Sequence, residues 1–388
     1  MKIVADQNIP QVAQAFAELG EVTLMPGRDI GPRDLRDCQC LLVRTVTRID
    51  AALLDGSAVE FVGSATIGTD HIDLDYLREA GIACSNAAGC NAEAAAEYVL
   101  SGLFEMASTR GFDPQQLRAG IVGFGNVGSR LYAKLKALGI DSLLCDPPLQ
   151  QAGKSGQTFE TLDTLLQECN FISLHVPLVR AGAHPTFHLL DARRLRALAD
   201  ACVLVNAARG EIVDNAALLE VLGQRADLCV FLDTWENEPL PARELLRKVE
   251  LATPHIAGYS VEGRLRGTQM VLDAAGTHFG HESCWRMAQQ LPPSLEIDCH
   301  GFSTGPGFWQ QLFLQHCDIR RDHDRLLAGI HLDDSDFAIH FDGLRRVYPR
   351  RLEYPRFRLR NLPTASPLPA LQRLGFHTDS EASTTTAC

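Results

Sequence analysis

The chain has 388 residues, of which 46% are hydrophobic and 22% charged, and its formal net charge is -12. One hydrophobic core rarely organises more than ~250 residues, so this length predicts two or three domains. The acidic balance argues against a general nucleic-acid binder, and it means that any anionic ligand must be attracted by a local group of Arg or Lys side chains.

The sequence begins directly with a pattern that predicts a β-strand. No run of apolar residues approaches the ~18 that a membrane span requires. We therefore expect no signal peptide. The twelve cysteines are scattered through apparent strands and helices without a C-x-x-C pair. This distribution is typical of buried, reduced thiols, so we expect a cytoplasmic protein.

Short apolar runs alternate with helical patterns along most of the chain. Strands are predicted at 2–5, 40–44 and 60–63, with helices near 10–19, 50–55 and 73–80 between them. A helix from about Ala92 to Ser108 leads into further strands at 119–123, 141–145, 170–174, 201–205, 228–232 and 250–252. The alternation predicts an α/β protein with two doubly wound, Rossmann-like parallel sheets.

The character of the sequence changes beyond residue 286. Pro and Gly are frequent between 291 and 307, which predicts an irregular entry into a smaller α+β region. The last twelve residues, HTDSEASTTTAC, are small and polar, and we expect them to be disordered.

Residues 123–128 read GFGNVG and stand between a predicted strand and a predicted helix. In this context Gly123 allows a tight turn, Gly125 lets the backbone approach a pyrophosphate, and Gly128 lets the helix pack closely on the strand. The N-terminus of the helix adds free N–H donors. The alternative without a functional role is a structural glycine turn in a protein that binds no nucleotide.

The strand after that helix ends at Asp146, 18 residues beyond Gly128. Its carboxylate can accept hydrogen bonds from both ribose hydroxyls of a dinucleotide, whereas a 2′-phosphate would face a negative charge. The following Pro147 and Pro148 offer no cation to compensate. The pattern therefore predicts NAD rather than NADP.

Three later segments carry polar residues at the ends of predicted strands, where ligands of open α/β sheets collect: 206–214 (NAARGEIVD), 232–239 (LDTWENEP) and 252–258 (ATPHIAG). Hydride loss from an alcohol carbon needs a base, an anion clamp and a nicotinamide, and His255 and Arg209 are residue types that supply the first two. Taken alone, each is more often a satisfied polar side chain or a surface charge.

Together, in this order, the segments resemble the D-isomer-specific 2-hydroxyacid dehydrogenases, whose motifs N-x-x-R-G-x-x-V-D-x-x-A-L, D-x-x-E-x-E-P and T-P-H-x-A they match. The resemblance covers about residues 1–285 and implies an NAD-dependent enzyme. It implies that Arg209 holds the substrate carboxylate and that His255 takes the hydroxyl proton. Glu238 would orient the imidazole and favour its protonated form.

The same resemblance implies a substrate domain at 1–92 and 259–285, an NAD-binding domain at 93–258 and a C-terminal domain at 286–388. Asp233 would lie at the nicotinamide end, and His175 would line the cofactor cleft. The residues expected to bind NAD are Gly123, Gly125, Asn126, Val127, Gly128, Asp146, His175, Ala207, Ala208, Arg209, Asp233 and Gly258.

Four further segments, 43–47, 64–73, 89–92 and 258–268, resemble one branch of the family. Its members oxidise 4-phospho-D-erythronate at C2 in pyridoxal 5′-phosphate biosynthesis and carry a C-terminal dimerisation domain, so we expect a homodimer. By this resemblance Thr45, Thr66 and Tyr259 contact substrate. A phosphate also needs cations beyond Arg209, and the candidates are Arg44, Arg264 and Arg266.

A pair of histidines and an arginine-rich stretch could suggest further binding sites, but we expect neither to be one. His184 and His188 form an H-x-x-x-H without an aligning helix or nearby Cys or acidic ligands, so we expect no metal site. The stretch 345–360 carries seven arginines among aromatic residues. RNA binding would use such a pattern, but the alternation is that of a half-buried strand, and we prefer a solvated face or a subunit contact.

Three other functions stay open at this point. The chain could be a relative that acts on phosphoglycerate or glycerate, since such an enzyme would share every catalytic residue. It could be an NAD-sensing binding protein on the same scaffold, which the presence of Arg209, Glu238 and His255 argues against. It could also carry an amino-acid-sensing C-terminal module, for which the sequence gives little support.

Overall fold

The computed structural model describes residues 1–153 and 156–378. The chain divides into two compact units, one formed by 1–92 with 260–292 and the other by 93–259 with the C-terminal region from 293 onward. The sequence predicted a third domain from residue 286, whereas the structure groups 286–292 with the first unit and the region from 293 with the second. Of the twelve residues expected to be disordered, His377 and Thr378 form the last strand, and 379–388 lie outside the described residues.

The first unit contains a five-stranded parallel sheet of order β2-β1-β3-β4-β5. Its strands are β1 (Lys2–Asp6), β2 (Glu21–Met25), β3 (Cys40–Val43), β4 (Phe61–Ser64) and β5 (Ala83–Asn86), and its first helices are α1 (Val12–Phe16), α2 (Ala51–Leu54) and α3 (Leu74–Glu79). The sequence missed β2 and β5. Both lie at the edges of the sheet and neither contains a buried residue, so neither produces a continuous apolar run.

The nineteen-residue helix α11 (Val261–Phe279) belongs to this unit and packs against β4. Two glycines make the close approach possible: a Cβ on Gly63 would lie 2.3 Å from the Val271 side chain, and one on Gly267 would lie 2.9 Å from the carbonyl oxygen of Ala65. This packing fixes the helix that carries Arg264 and Arg266.

The second unit contains a six-stranded parallel sheet of order β11-β10-β9-β8-β6-β7. Its strands are β6 (Arg118–Val122), β7 (Asp141–Cys145), β8 (Phe171–Leu174), β9 (Val203–Asn206), β10 (Cys229–Leu232) and β11 (Leu251–Ala252). Its helices are α4 (Ala92–Arg110), α5 (Asn126–Ala137), α6 (Pro147–Ala152), α7 (Leu162–Glu168), α8 (Ala192–Arg196), α9 (Asn215–Gln224) and α10 (Arg243–Lys248). All six strands were predicted. The four inner strands, β6, β8, β9 and β10, are almost wholly buried and read as nearly unbroken apolar runs. Parallel pairing brings their carboxyl ends to one edge of the sheet.

The C-terminal region of this unit combines four helices with a three-stranded parallel sheet of order β12-β13-β14. The helices are α12 (Pro306–His316), α13 (Ile319–Ala328), α14 (Asp334–Arg346) and α15 (Leu368–Leu374), and the strands are β12 (Leu295–Asp298), β13 (Phe357–Arg360) and β14 (His377–Thr378). Leu326 and Phe337 belong to the same buried cluster as Leu245 of α10. The Arg243 guanidinium lies 3.8 Å from the centre of the Phe337 ring and donates to the carbonyl of Ile330. The region therefore shares a core with the six-stranded sheet.

Two properties of the described residues bear on the expectations above. None of the helices in this part of the chain combines the length and the apolar character that crossing a bilayer requires. The eleven described cysteines carry free thiols, and nine of them are buried.

Candidate functional site

The glycine loop follows β6. Gly123 has φ +90°, and a Cβ there would lie 2.7 Å from the carbonyl oxygen of His175. A Cβ on Gly128 would lie 2.0 Å from the carbonyl oxygen of Gly123, whereas one on Gly125 would meet no atom within 4 Å. The fold therefore requires two of these glycines, while the third leaves open space at the N-terminus of α5, where Asn126 and Val127 form the first turn. This space suits an approaching phosphate group.

Asp146 stands at the end of β7 and holds two backbone segments. One carboxylate oxygen accepts from the Leu149 N–H at 3.0 Å and caps α6, and the other accepts from the Phe124 N–H in the glycine loop at 2.8 Å. A carboxylate can accept about four hydrogen bonds, so Asp146 keeps capacity for the ribose hydroxyls that the sequence assigned to it.

His175 follows β8 and lies against the glycine loop. Its Nε2 is 2.8 Å from the Ser173 hydroxyl, and its Nδ1 is buried without a hydrogen-bond partner among residues 1–153 and 156–378. Burial lowers the pKa of His175 to about 3, so the ring is neutral at physiological pH. A buried polar nitrogen without a partner is costly, and a ligand group at this place would satisfy it.

Arg209 lies in a loop that its neighbours hold tightly. The Asn206 side chain donates to the Arg209 carbonyl at 2.8 Å and accepts from the Ala208 N–H at 3.1 Å. A Cβ on Gly210 would lie 1.9 Å from the carbonyl carbon of Trp235. Only glycine allows this close approach, which brings the Arg209 loop against the segment that carries Glu238.

Glu238 and His255 form a hydrogen-bonded pair. One Glu238 oxygen lies 2.8 Å from His255 Nδ1, and the other accepts from the Trp235 N–H at 3.0 Å. Burial by itself raises the pKa of the Glu238 carboxyl, but the imidazole and the Trp235 N–H outweigh it, so the pKa lies below its ordinary value. The carboxylate engages Nδ1, and Nε2 is the ring nitrogen left to exchange a proton with a ligand.

The loop that carries His255 is anchored by Asp233. One Asp233 oxygen accepts from the Thr253 hydroxyl at 2.6 Å and from the Ile256 N–H at 2.9 Å, and the other accepts from the Ala257 N–H at 2.9 Å. His255 itself has φ +55°, a left-handed conformation that its anchored neighbours impose. This anchoring role of Asp233 was not predicted, and its expected contact with the nicotinamide stays a prediction.

His188 has the acidic neighbours that the sequence did not reveal. Its Nε2 lies 2.6 Å from a Glu236 oxygen and its Nδ1 lies 3.6 Å from an Asp214 oxygen. The ligand atoms of these three residues lie within 4.8 Å of one another, as in sites that hold a metal ion. The assumption that no acid lies near His188 is therefore wrong, because Asp214 and Glu236 are distant in sequence. The ring bridges the two carboxylates and stacks on Phe187 at 4.0 Å.

Gly258 and Tyr259 belong to the second unit, and the remaining candidates for substrate binding lie in the first unit. Arg44 and Thr45 follow β3, and Thr66 follows the neighbouring β4, so they share one edge of the five-stranded sheet. The Thr66 hydroxyl is 2.8 Å from that of Ser64, whose oxygen is 3.3 Å from His71 Nε2. Arg264 and Arg266 both lie on α11; Arg264 is exposed, and Arg266 donates to the Cys90 carbonyl.

The arginine-rich stretch 345–360 departs from expectation. Its last four residues form the half-buried strand β13 that was predicted. Arg351, however, is only 6% exposed, donates to the carbonyls of Ala94 and Ala257, and lies 4.7 Å from the centre of the Tyr98 ring. A solvated face is therefore wrong for this residue. No local sequence signal distinguishes it from its exposed neighbour Arg350, since its partners lie far away in the chain.

Comparisons with known proteins agree on the family. The sequence model of the D-isomer specific 2-hydroxyacid dehydrogenase NAD binding domain matches residues 87–257. The chain is 46% identical to an erythronate-4-phosphate dehydrogenase of Chromohalobacter salexigens, with 92% of this chain and 94% of the relative covered. It is 44% identical to an erythronate-4-phosphate dehydrogenase of Shewanella loihica, with coverage of 97% and 99%.

Solved structures support the fold. An NAD⁺-bound 3-phosphoglycerate dehydrogenase of Entamoeba histolytica matches with a TM-score of 0.62 at 22% identity, over 72% of this chain and 95% of that one. At this identity the likeness concerns the fold alone. It agrees with the parallel α/β sheets described above.

Proposed function

The chain belongs to the D-isomer specific 2-hydroxyacid dehydrogenase family, in the branch of the erythronate-4-phosphate dehydrogenases that it matches over 92% of its length, and we propose that it oxidises 4-phospho-D-erythronate. The C2 alcohol becomes a ketone, which gives (R)-3-hydroxy-2-oxo-4-phosphooxybutanoate in pyridoxal 5′-phosphate biosynthesis, with NAD as the cofactor. The observation that carries the proposal is the Glu238–His255 pair, joined at 2.8 Å.

Residues of the second unit suit the dinucleotide. When NAD is bound, its nicotinamide would supply the acceptor for the hydride that leaves C2. The open space at Gly125 and the N–H groups that begin α5 suit its pyrophosphate. Asp146 has acceptor capacity for the ribose hydroxyls and disfavours a 2′-phosphate, and His175 offers a neutral ring nitrogen without a partner in the described chain.

His255 and Arg209 perform the remaining chemistry. His255 removes the proton from the C2 hydroxyl through Nε2, since Nδ1 faces Glu238. Glu238 is ionised at neutral pH because its pKa is lowered, and it stabilises the imidazolium that forms. Arg209 binds the substrate carboxylate through its planar, two-pronged guanidinium, which fixes the carbon to be oxidised.

Substrate contacts from the first unit are proposed on the resemblance to the branch. Thr45 and Thr66 would donate or accept hydrogen bonds through their hydroxyls, and Arg44 or Arg264 would bind the phosphate. If Arg44→Ala and Arg264→Ala leave the KM for 4-phospho-D-erythronate unchanged, this assignment of the phosphate site is wrong.

We also propose that the protein is a cytoplasmic homodimer. The compartment is supported by the free thiols of the eleven described cysteines, which suit a reducing environment. The dimer, formed through the C-terminal region, rests on the resemblance to the branch. A monomeric mass at micromolar concentration in light scattering contradicts it.

One assay tests the function. NADH formation is followed with 4-phospho-D-erythronate, 3-phosphoglycerate and glycerate as substrates. In case NADH does not leave, parallel reactions contain a 2-oxo acid as an alternative hydride acceptor and are followed by the reduction of that acid. We expect kcat/KM to be at least about tenfold higher for 4-phospho-D-erythronate, because a site built for a phosphorylated substrate loses binding energy with smaller acids. A preference for 3-phosphoglycerate overturns the substrate. NAD binding without turnover of any of these acids favours a sensing protein.

A further inference from the structure

We propose that Arg345, on helix α14 of the C-terminal region, is a further cation that binds the phosphate group of the substrate, beside the Glu238–His255 pair and in addition to the arginines proposed above. The inference rests on the proposed function and adds a residue that neither the motifs nor the glycine loop suggested. It concerns the second unit alone, which contains Arg345, Arg209 and His255.

The position of Arg345 follows from the contacts of its neighbours. Tyr348 meets Tyr259 edge to face, with ring centres 5.9 Å apart, and also donates to the Asp322 carboxylate at 3.0 Å. Arg351 donates to the carbonyl of Ala257. The segment from Arg345 to Arg351 is thereby held against residues 257–259, which directly follow the His255 loop.

The Arg345 guanidinium is enclosed but incompletely paired. Its side chain is 25% exposed, and its contact with Asp342 is 3.7 Å long, beyond hydrogen-bond distance. Its Nε is buried and has no hydrogen-bond partner within the described part of the chain. A buried donor on a charged group is costly to leave unpaired, so this side chain suits an anion that can accept from it.

Electrostatics keep this side chain cationic. Burial lowers the pKa of Arg345, but the Tyr259 hydroxyl and the Glu238 carboxylate outweigh burial, and the pKa lies above its ordinary value. The proposed substrate carries a carboxylate at one end and a phosphate at the other. Arg209 takes the carboxylate, and a planar guanidinium is the group that binds a phosphate through two parallel hydrogen bonds.

Two other roles fit the same position and define the test. Arg345 could act through Glu238, by keeping that carboxylate ionised. It could also orient Tyr259 without touching the substrate. Phosphate binding differs from both because only it depends on whether the substrate carries a phosphate.

The test compares Arg345→Met, Arg345→Lys and the control Arg346→Met, an exposed neighbour in the last turn of the same helix. Each purified full-length variant is assayed with 4-phospho-D-erythronate and with D-erythronate, and circular dichroism verifies folding. We expect Arg345→Met to raise the KM for the phosphorylated acid by about 10- to 100-fold and that for D-erythronate by less than about threefold. The KM of Arg345→Lys for the phosphorylated acid should lie between those of the wild type and Arg345→Met, and the KM of Arg346→Met should match that of the wild type.

Other outcomes overturn the proposal. An equal loss with both substrates assigns Arg345 to the orientation of Tyr259 or to folding. A displaced pH profile of kcat with an unchanged KM assigns it to Glu238.

Failure of the proposed function would look different. In that case the wild type would not prefer 4-phospho-D-erythronate over D-erythronate. Calorimetry with inorganic phosphate then decides about Arg345 without any turnover. Phosphate binding that is lost in Arg345→Met and kept in Arg346→Met supports the anion site, and binding that is equal or absent in all three proteins overturns it.

Discussion

The second unit contains two regions that are built in different ways. At the carboxyl edge of the six-stranded sheet, polar contacts join residues that are close in sequence, such as Asn206 with Arg209 and Glu238 with His255. In the C-terminal region some of them reach residues more than ninety positions away, such as Arg351 with Ala257. The contacts of the first region position catalytic side chains within short loops, and those of the second connect distant parts of the chain. Apart from Arg345, substitutions of the residues that make these contacts should therefore affect activity in the first region and stability in the second.

The largest effect is expected at the catalytic edge, for His255→Asn. Asn is the suitable replacement because it tolerates the left-handed backbone that His255 adopts, so the loop should keep its shape. Without the proton acceptor, kcat should fall by about 10³-fold, while the KM for NAD and the melting temperature change little. Stopped-flow and steady-state NADH assays measure this. Retention of a tenth of the activity would contradict the role of His255.

The opposite pattern is expected for Arg351→Met in the C-terminal region. This change leaves two carbonyls without the cation that donates to them, and it should lower the free energy of unfolding by about 1–3 kcal/mol. Chemical denaturation measures the loss, and Arg350→Met, at an exposed position, is the control. A cost below about 1 kcal/mol would show that the C-terminal region does not depend on this contact.

The same contrast explains what the sequence could predict. The inner strands of the six-stranded sheet are almost wholly buried and were predicted, whereas the edge strands β2 and β5 of the other sheet lack buried residues and were missed. Glu238 and His255 were predicted as a pair because motifs with fixed spacing carry them, and the structure brings them together. Local patterns of this kind are visible in one sequence.

Contacts that depend on tertiary structure were not visible. The burial of Arg351 is set by the carbonyls of Ala94 and Ala257, and the bridging position of His188 is set by Asp214 and Glu236. In neither case does the sequence around the residue indicate which distant residue it contacts. For the same reason the C-terminal region was predicted as a separate domain, although Phe337 packs into the core of the six-stranded sheet.

Gly125 and Gly128, in the glycine loop, should differ in whether a substitution affects stability or only NAD binding. A Cβ on Gly128 would collide with the backbone of Gly123, so Gly128→Ala should cost about 1–3 kcal/mol of stability as well as NAD affinity. A Cβ on Gly125 meets open space, so Gly125→Ala should leave the melting temperature unchanged and raise the Kd for NAD by about tenfold. Calorimetric titration with NAD and thermal unfolding distinguish the two. Equal loss of stability in both variants would contradict the division.

A further effect concerns pH and lies where the C-terminal region joins helix α4. Glu97 accepts from the Tyr354 N–H at 3.0 Å, and burial raises the pKa of its carboxyl to about 8 despite the opposing charge of Lys134. Between about pH 4.5 and 8 the folded chain therefore binds a proton that the unfolded chain has released. Stability from this group is complete at the acid end of that range and is lost as the pH rises, by at most about 1.4 kcal/mol per pH unit.

Glu97→Gln removes this titration and keeps a side chain that accepts the Tyr354 N–H. Its free energy of unfolding should vary less with pH between 5 and 8 than that of the wild type, whereas the control Glu105→Gln, on the same helix, should follow the wild type. Unfolding curves at several pH values measure the slope. If the wild type and Glu97→Gln have the same slope, Glu97 is ionised in the folded protein, and its buried charge is stabilised mainly by the Lys134 ammonium, 3.5 Å away.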